Sequence, residues 1–256
     1  MSKKFKNQPC VYCGSYPDDS NNMTADHVFA KKWFSNIDER NNLPKVPACR
    51  KCNNEKSKLE NYCLTIFPFG GRQENSLKIL EEDGAKRLNR NKKLKKSLEE
   101  GYQFYWAVEN GIYSQHIAIP FVQEEGEQLF IFIVKGLVYF HWNVLLNPVC
   151  FIDVCFPTKL GDNILDSFFK RKMTNHLKID LGMLSYEGIQ DNVNNNVSVW
   201  KFKVAGGLVF TNRNTPAQMS DKIFVLTGSK ESKLNERASR IGKLLSNLAV
   251  VQCPGH

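Results

Sequence analysis

Cys10-Val-Tyr-Cys13-Gly14 and Cys49-Arg-Lys-Cys52-Asn53 are two Cys-x-x-Cys pairs that frame the first fifth of a chain of 256 residues. Each pair can form a tight knuckle that presents two sulfurs to one ion, and four thiolates at this spacing suit tetrahedral zinc. Gly14 favours such a turn because glycine adopts positive φ without strain. The spacing therefore predicts a structural Zn²⁺ site formed by Cys10, Cys13, Cys49 and Cys52.

Three other roles for the paired cysteines fit the pattern less well. A pair of disulfides is disfavoured in a reducing compartment. A redox Cys-x-x-Cys needs only one pair, placed in a βαβ unit. Buried structural thiols need no paired spacing at all. The remaining cysteines stand apart in the sequence, and we interpret them as small core residues: Cys63, Cys150, Cys155 and Cys253.

The segment between the pairs carries an acid and a histidine. Thr24-Ala-Asp26-His27-Val28-Phe29 predicts a short strand, and neighbours on a strand point to opposite faces, so one can approach a metal while the other approaches a substrate. A loop with Asn41 and Asn42 follows. After Cys52, a stretch without Pro or Gly predicts a helix that begins at the second knuckle, with Asn53 in its first turn.

Each of these polar residues, taken alone, has a simpler structural interpretation. A histidine such as His27 can bind a backbone carbonyl, an aspartate such as Asp26 can cap a turn, and an asparagine such as Asn53 suits the start of a helix. Their joint position inside the four-cysteine frame is what indicates a functional site.

The combination of two Cys-x-x-Cys pairs, Asp-His, a loop Asn, and Asn53 directly after the last cysteine resembles the HNH endonucleases of the zinc-supported ββα-metal type. The resemblance covers residues 10–64, including Lys56-Ser57, and a further similar stretch at residues 67–72. It implies a small ββα finger on a four-cysteine zinc scaffold. The chain departs from the common pattern at Ala30, where many relatives have proline, and at Asn53, where others have histidine.

The resemblance also implies a role for each site residue. His27 corresponds to the general base that takes a proton from water, which suits a group whose pKa is near neutrality. Asp26 and Asn53 correspond to ligands of a catalytic divalent metal, and their hard oxygen donors favour Mg²⁺ or Mn²⁺. Asn42, or Asn41 in its place, corresponds to the asparagine that braces the loop and orients the histidine.

Positive charge is concentrated in the first part of the chain. Residues 1–100 contain 20 Lys and Arg against 13 Asp and Glu, whereas the remainder contains 15 against 13. This imbalance favours a polyanionic partner such as DNA, although a lysine-rich soluble surface is the alternative. Residues 74–100 carry leucines at helical spacing, interrupted by Gly84, and the densest basic run. The predicted phosphate-binding residues are Lys56, Lys86, Arg87, Arg90, Lys92, Lys93, Lys95 and Lys96.

The remainder of the chain predicts a second α+β region without a catalytic constellation. Aromatic and β-branched runs over residues 102–156 predict strands, among them Leu129-Phe-Ile-Phe-Ile-Val. Gly136-Leu-Val-Tyr-Phe and Gly207-Leu-Val-Phe predict two strands of one sheet. Further predicted elements are a short helix at residues 164–172, an alternating strand at residues 197–204 and a helix at residues 231–251.

The predicted fold class is thus α+β, with an HNH domain at residues 1–72, a basic helical connector at 73–100 and an α+β domain at 101–256. The resemblance implies metal-dependent hydrolysis of DNA as the function, and a role in bacterial defence or restriction. The alternatives are an RNA substrate or a non-catalytic zinc-knuckle module that binds nucleic acid. The α+β domain at residues 101–256 could select targets, sense a signal, form a homo-oligomer or bind a partner protein. No run of ~18 apolar residues and no secretory pattern is present, so we expect a cytoplasmic protein without a membrane span.

Overall fold

Two short strands and a long helix form the N-terminal part of the chain. In the computed structural model, strand β1 (Met23–His27) pairs antiparallel with β2 (Lys45–Cys49), and helix α1 (Arg50–Gly70) starts directly after β2. This is the ββα order that the resemblance implies. The structure describes residue 5 and residues 7–17, 23–34, 40–72, 74–109, 111–170, 175–181, 183–210 and 219–229.

The predicted basic connector is helical, in three α segments. Helices α2 (Glu74–Ile79) and α3 (Ala85–Arg90) flank a π turn at Leu80–Gly84, so the helix changes its geometry where Gly84 was expected to interrupt it. Helix α4 (Lys92–Gly101) begins after a break at Asn91, whose Oδ1 accepts a hydrogen bond from Leu94 N at 3.0 Å. This is ordinary N-capping, and it separates α4 from α3.

A buried helix occupies a segment for which strands were predicted. Helix α5 (Gln123–Trp142) includes Leu129–Val134 and Gly136–Phe140, so the prediction of strands there is wrong. Its residues Leu129, Ile133 and Leu137 are fully buried, as are their neighbours Phe130, Val134 and Val138. A helix that is buried on most of its circumference shows a continuous apolar run, and periodicity alone does not separate that pattern from a buried strand.

A five-stranded antiparallel sheet forms most of the C-terminal half. Its order is β5-β9-β8-β7-β6, with bounds Phe151–Cys155, Ile223–Gly228, Ser198–Val204, Leu184–Gln190 and Asn175–Asp180. The predicted strand at residues 197–204 is confirmed as β8, whereas the Gly207 stretch is a turn with a φ of 117° at Gly207. The predicted helix at 164–172 is α6 (Lys159–Phe169), shifted towards the N-terminus. The predicted helix at 231–251 lies outside the described residues.

Helix α5 joins the ββα unit to this sheet. Lys135 Nζ donates a hydrogen bond to the carbonyl of Tyr12 at 2.7 Å, and the Phe29 and Tyr186 rings lie 5.5 Å apart. One hydrophobic cluster includes residues from both parts, so the core crosses the proposed boundaries at residues 72 and 100. The chain is a mixed α+β protein, as predicted. Among the described residues no helix has the length and apolar content that a membrane span requires.

A separate antiparallel ribbon lies between α4 and α5. Strands β3 (Gln103–Glu109) and β4 (Ile112–Ala118) pair along their whole length and join no other described strand. Gly111, just before β4, has a φ of 80°, a left-handed conformation that glycine adopts without strain.

Candidate metal and nuclease site

The four paired cysteines converge as the sequence predicts. The Sγ atoms of Cys10, Cys13, Cys49 and Cys52 all lie within 4.8 Å of one another, and those of Cys13 and Cys49 are 3.9 Å apart. Four sulfurs at ~2.3 Å from one tetrahedral ion would be ~3.8 Å apart, so the observed cluster has the dimensions of a zinc site. The donor set therefore fits structural Zn²⁺.

Local backbone geometry holds each knuckle. Gly14, at a φ of 76°, donates its N–H to the carbonyl of Cys10 at 2.8 Å and closes the first turn. Cys49 caps helix α1, because its Sγ accepts a hydrogen bond from Cys52 N at 3.4 Å. Val11 N donates to the carbonyl of Pro47 at 3.0 Å, which joins the first knuckle to β2 just before the second.

The thiols differ in their tendency to ionise. Burial raises the pKa of Cys10 to about 11 and raises that of Cys52 further. Burial also acts on Cys13, but hydrogen bonds with Ser15 lower its pKa to about 7. A bound Zn²⁺ stabilises the thiolate form of every ligand, so the ion would offset the cost of burying these sulfurs together.

Removal of one zinc ligand should reduce both metal content and stability. We expect Cys49→Ser to lose most bound zinc and to unfold at lower denaturant concentration, because structural zinc contributes folding free energy. Elemental analysis and denaturant unfolding measure the two effects. Cys150→Ser, at a half-buried position away from the cluster, is the control and should keep its zinc. Folded wild-type protein that contains no zinc would contradict the assignment.

The two predicted ligands of a catalytic metal are held on one face of β1. Thr24 and Asp26 are two residues apart on the strand, so their side chains share a face. Asn53 Nδ2 donates to Thr24 Oγ1 at 2.9 Å, which places Asn53 of α1 next to that face, and its amide oxygen is the atom that could bind a metal. A carboxylate and an amide oxygen are hard ligands, and they fit Mg²⁺ or Mn²⁺.

Asp26 is also the centre of a buried polar network. Its Oδ2 accepts a hydrogen bond from Tyr12 Oη at 2.5 Å and lies 3.1 Å from Lys56 Nζ. Lys56 Nζ additionally contacts Glu60 Oε1 at 2.5 Å and the carbonyl of His27 at 2.7 Å. Burial raises the pKa of Glu60, against the opposing effect of the Lys56 charge. The network fixes the end of β1 against helix α1.

The prediction that Lys56 binds nucleic acid is wrong. Its side chain is 1% exposed and its ammonium is saturated by protein oxygens, so it cannot reach a phosphate. Arg87 is also engaged within the protein, since Nη1 donates to the carbonyl of Leu64 at 2.8 Å and Nη2 to Asp83 at 3.1 Å. Arg87 thus attaches α3 to α1. The other predicted phosphate-binding residues are exposed or half-buried: Lys86, Arg90, Lys92, Lys93, Lys95 and Lys96.

Truncation of the buried ammonium should destabilise the protein strongly. Lys56→Met keeps most of the aliphatic volume but leaves the Asp26 and Glu60 carboxylates without their cation, and we expect it to cost about 3–5 kcal/mol in free energy of unfolding. Denaturant unfolding measures this cost. Lys58→Met, at an exposed position of the same helix, should change stability by less than ~0.5 kcal/mol. Equal effects of the two substitutions would refute the structural role of Lys56.

His27 lies one residue from Asp26 and therefore faces the other side of β1. Its Nε2 is shielded from solvent and has no hydrogen-bond partner within the described part of the chain. Burial, followed by the charges of Lys31 and Lys45, lowers the pKa of His27 to about 4. The imidazole is consequently neutral at neutral pH, and a water molecule or substrate oxygen would satisfy its unpaired nitrogen.

Two lysines near His27 were not identified from the sequence. Lys45 is the direct partner of His27 across the β1–β2 ladder, and Lys31 follows in a short 3₁₀ turn at Lys31–Trp33. Both are exposed. Lys45 could have been identified from the antiparallel register of β1 and β2, but the sequence between the two strands does not reveal that register. These two cations are better placed than Lys56 to attract a phosphate towards His27.

The loop asparagines are less closely connected to the histidine. Asn42 and Asn41 are both exposed, in the segment that precedes β2. Neither bonds His27 Nε2, which has no partner among the described residues. The orienting role of Asn42 therefore stays a prediction.

Comparison with known proteins identifies the class of this domain. The family model described as HNH endonuclease matches residues 10–59, the segment that contains the four zinc-site cysteines together with Asp26, His27, Asn42 and Asn53. The resemblance inferred from the sequence is confirmed: the chain carries an HNH endonuclease domain, which indicates nuclease activity, dependence on metal and a nucleic-acid substrate. No curated protein and no solved structure matches the chain significantly.

Proposed function

We propose that the protein is an endonuclease that hydrolyses DNA phosphodiester bonds in a metal-dependent reaction, with His27 as the general base. The observation that carries the proposal is the unpartnered Nε2 of His27, adjacent to Asp26 inside the matched HNH segment. A role in bacterial defence or restriction and a cytoplasmic location are proposed on the family resemblance.

In the proposed reaction His27 Nε2 accepts the proton of the attacking water. The imidazole is neutral before substrate binds, so it is in the form that can take a proton. Lys31 and Lys45 attract the scissile phosphate to this side of β1. The incoming anion offsets their effect on the imidazole and raises its pKa towards the range in which a base works best.

Asp26 and Asn53 would hold the divalent metal at this same end of β1, so that one phosphate could contact both the metal and the water activated by His27. The metal, when bound, supplies charge neutralisation at the phosphate and at the leaving oxygen. Lys56 positions this machinery, since its ammonium contacts both the Asp26 carboxylate and the carbonyl of His27. Its bonds define the relative placement of the base and the metal ligand.

Exposed cations on the connector would bind the DNA backbone away from the site. Lys92 and Lys93 are exposed at the start of α4, and Lys86 and Arg90 are exposed on α3. The ion pairs Lys95–Glu99 and Lys96–Glu100 are long, at 3.7 and 3.6 Å, and contribute little at the surface. Phosphate contacts from such a surface give affinity without sequence preference.

The substitution that tests the chemistry is His27→Ala. We expect it to lower the cleavage rate by ~10²–10⁴-fold, the usual effect of losing a general base, with little change in DNA binding. Cleavage is followed on supercoiled DNA, single-stranded DNA and RNA with Mg²⁺ and Mn²⁺, and a melting curve checks the fold. His176→Ala, on the far edge strand β6, is the matched control.

Metal concentration separates the base from the metal ligands. Asn53→Ala should recover part of its activity at high Mn²⁺, because the lesion is in metal affinity, whereas His27→Ala should not respond. Near-normal cleavage by folded His27→Ala would disprove the mechanism. DNA binding by a wild-type protein that cleaves nothing would support a non-catalytic module, and preferential cleavage of RNA would change the substrate.

The basic connector should act in binding more than in chemistry. Charge neutralisation at Lys92, Lys93, Lys95 and Lys96 by Gln should weaken DNA affinity and flatten its salt dependence by ~0.9 log units of slope per lost phosphate contact. Binding isotherms at several salt concentrations measure this slope. The charge-matched control replaces four exposed lysines of the C-terminal half: Lys159, Lys170, Lys178 and Lys203. Equal slopes in the two variants would mean that only net charge matters.

A further inference from the structure

The β3–β4 ribbon has one face that is almost wholly apolar and exposed. Directly paired residues of an antiparallel ribbon share a face, so Phe104 and Ile117, and likewise Val108 and Tyr113, lie on the same face as Trp106. The exposed fractions on this face are 56% for Phe104, 65% for Trp106, 55% for Val108, 73% for Tyr113 and 58% for Ile117. Tyr102, at the start of the ribbon, packs edge-on against Phe104 and is 50% exposed.

The area of this face is that of a protein interface. Each aromatic side chain contributes ~150–250 Å² when fully exposed, so four half-exposed or more exposed aromatics with two aliphatics present on the order of 500–800 Å². Single exposed apolar residues are ordinary, but contiguous patches beyond a few hundred Å² mark interaction sites. A stable dimer buries ~800 Å² on each partner, and this one face supplies most of that area.

The ribbon is also an incomplete structure on its own. Its strands are seven residues long, and within the described chain they pair only with each other. A two-stranded ribbon by itself is marginally stable in water, and three or more strands or a second layer are needed for independent stability. A partner layer over the apolar face would provide the missing support.

Charge argues against nucleic acid as that partner. Residues 103–118 contain no Lys or Arg and one acid, Glu109, and the helix before them ends in Glu99 and Glu100. Surfaces that stack bases combine aromatic residues with cations that follow the phosphates. The lysines and arginines of the connector precede the ribbon in the sequence, at residues 78–96, and the ribbon itself has none. The face is therefore suited to an apolar protein surface.

We propose that the apolar ribbon face packs against the same face of a second copy of the chain. The face has an apolar pair at each end, Phe104–Ile117 and Val108–Tyr113, and Trp106 with Gln115 at its centre. A two-fold axis through the centre places Phe104–Ile117 of each copy over Val108–Tyr113 of the other copy. Such an isologous contact puts apolar groups against apolar groups at both ends of the ribbon, with Trp106 and Gln115 of each copy at the centre. The inference does not depend on nuclease activity.

The oligomeric state of the full chain tests the proposal without any nucleic acid. Sedimentation equilibrium should show a monomer–dimer equilibrium, and the double substitution Trp106→Ser with Tyr113→Ser should weaken dimerisation at least ~30-fold, as expected when central aromatic contacts are lost. Val193→Ser removes an apolar side chain that is 95% exposed in a distant loop, and it should leave the equilibrium unchanged. Cooperative melting curves show that both variants fold, although loss of the dimer should lower the melting temperature of the double variant.

Trp106 fluorescence locates the interface. The other tryptophans, Trp33, Trp142 and Trp200, are buried or half-buried, so the emission that acrylamide quenches most readily comes from Trp106. We expect this emission to shift to the blue and to resist quenching as protein concentration rises, and Trp106→Phe should abolish the change.

Four outcomes would overturn the proposal. The first is a monomer at every concentration, and the second is a dimer that survives the double substitution. Protection of Trp106 that is independent of protein concentration would mean that the chain's own residues cover the face. Protection of Trp106 only on addition of single-stranded DNA, or of lipid vesicles, would assign the face to that ligand.

Discussion

The buried ammonium of Lys56 is the interaction on which the ββα unit depends. It lies between the end of β1 and helix α1 and contacts the Asp26 carboxylate, the Glu60 carboxylate and the carbonyl of His27. An unpaired charge at this depth would cost several kcal/mol, whereas a charge with three oxygen partners is tolerated. The same bonds define where the proposed base and the proposed metal ligand stand relative to each other. The stability of the ββα unit and the placement of the proposed catalytic groups thus depend on the same side chain.

The network continues from the finger into the rest of the protein. Tyr12, between the first two zinc-site cysteines, donates its hydroxyl to Asp26 and accepts at its carbonyl the ammonium of Lys135 on α5. Zinc at the four cysteines would order the knuckle that carries Tyr12, so the ion would also support Asp26 indirectly. Helix α5 in turn packs against the C-terminal sheet within one continuous hydrophobic cluster. Residues of the HNH segment belong to the same hydrophobic cluster as residues of the C-terminal half. The domain boundary proposed at residue 72 therefore divides a shared core.

Local patterns predicted much of the site, and tertiary contacts decided the rest. The cysteine pairs, the strand with Asp26 and His27, and the helix after Cys52 depend on spacing within a few residues, and the sequence shows that spacing directly. Lys56 and Glu60 have the i, i+4 spacing of an exposed helical ion pair, and only the packing of α1 against β1 buries them. Helix α5 was predicted as strands for a related reason, because burial of most of its circumference leaves little of the polar stripe that identifies a helix.

A divalent ion bound by Asp26 would share that carboxylate with the ammonium of Lys56. Lys56 Nζ lies 3.1 Å from Oδ2, and the proposed divalent ion would share the same acid with the amide oxygen of Asn53 as its neutral co-ligand. The ammonium orients the Asp26 carboxylate in the absence of metal. Metal binding would therefore cost less side-chain conformational entropy. Its positive charge also opposes the metal, and a neutral amide contributes less than a second carboxylate would. We therefore infer that the site is preorganised but weak, so that metal and substrate would stabilise each other when the phosphate brings further oxygen ligands and negative charge.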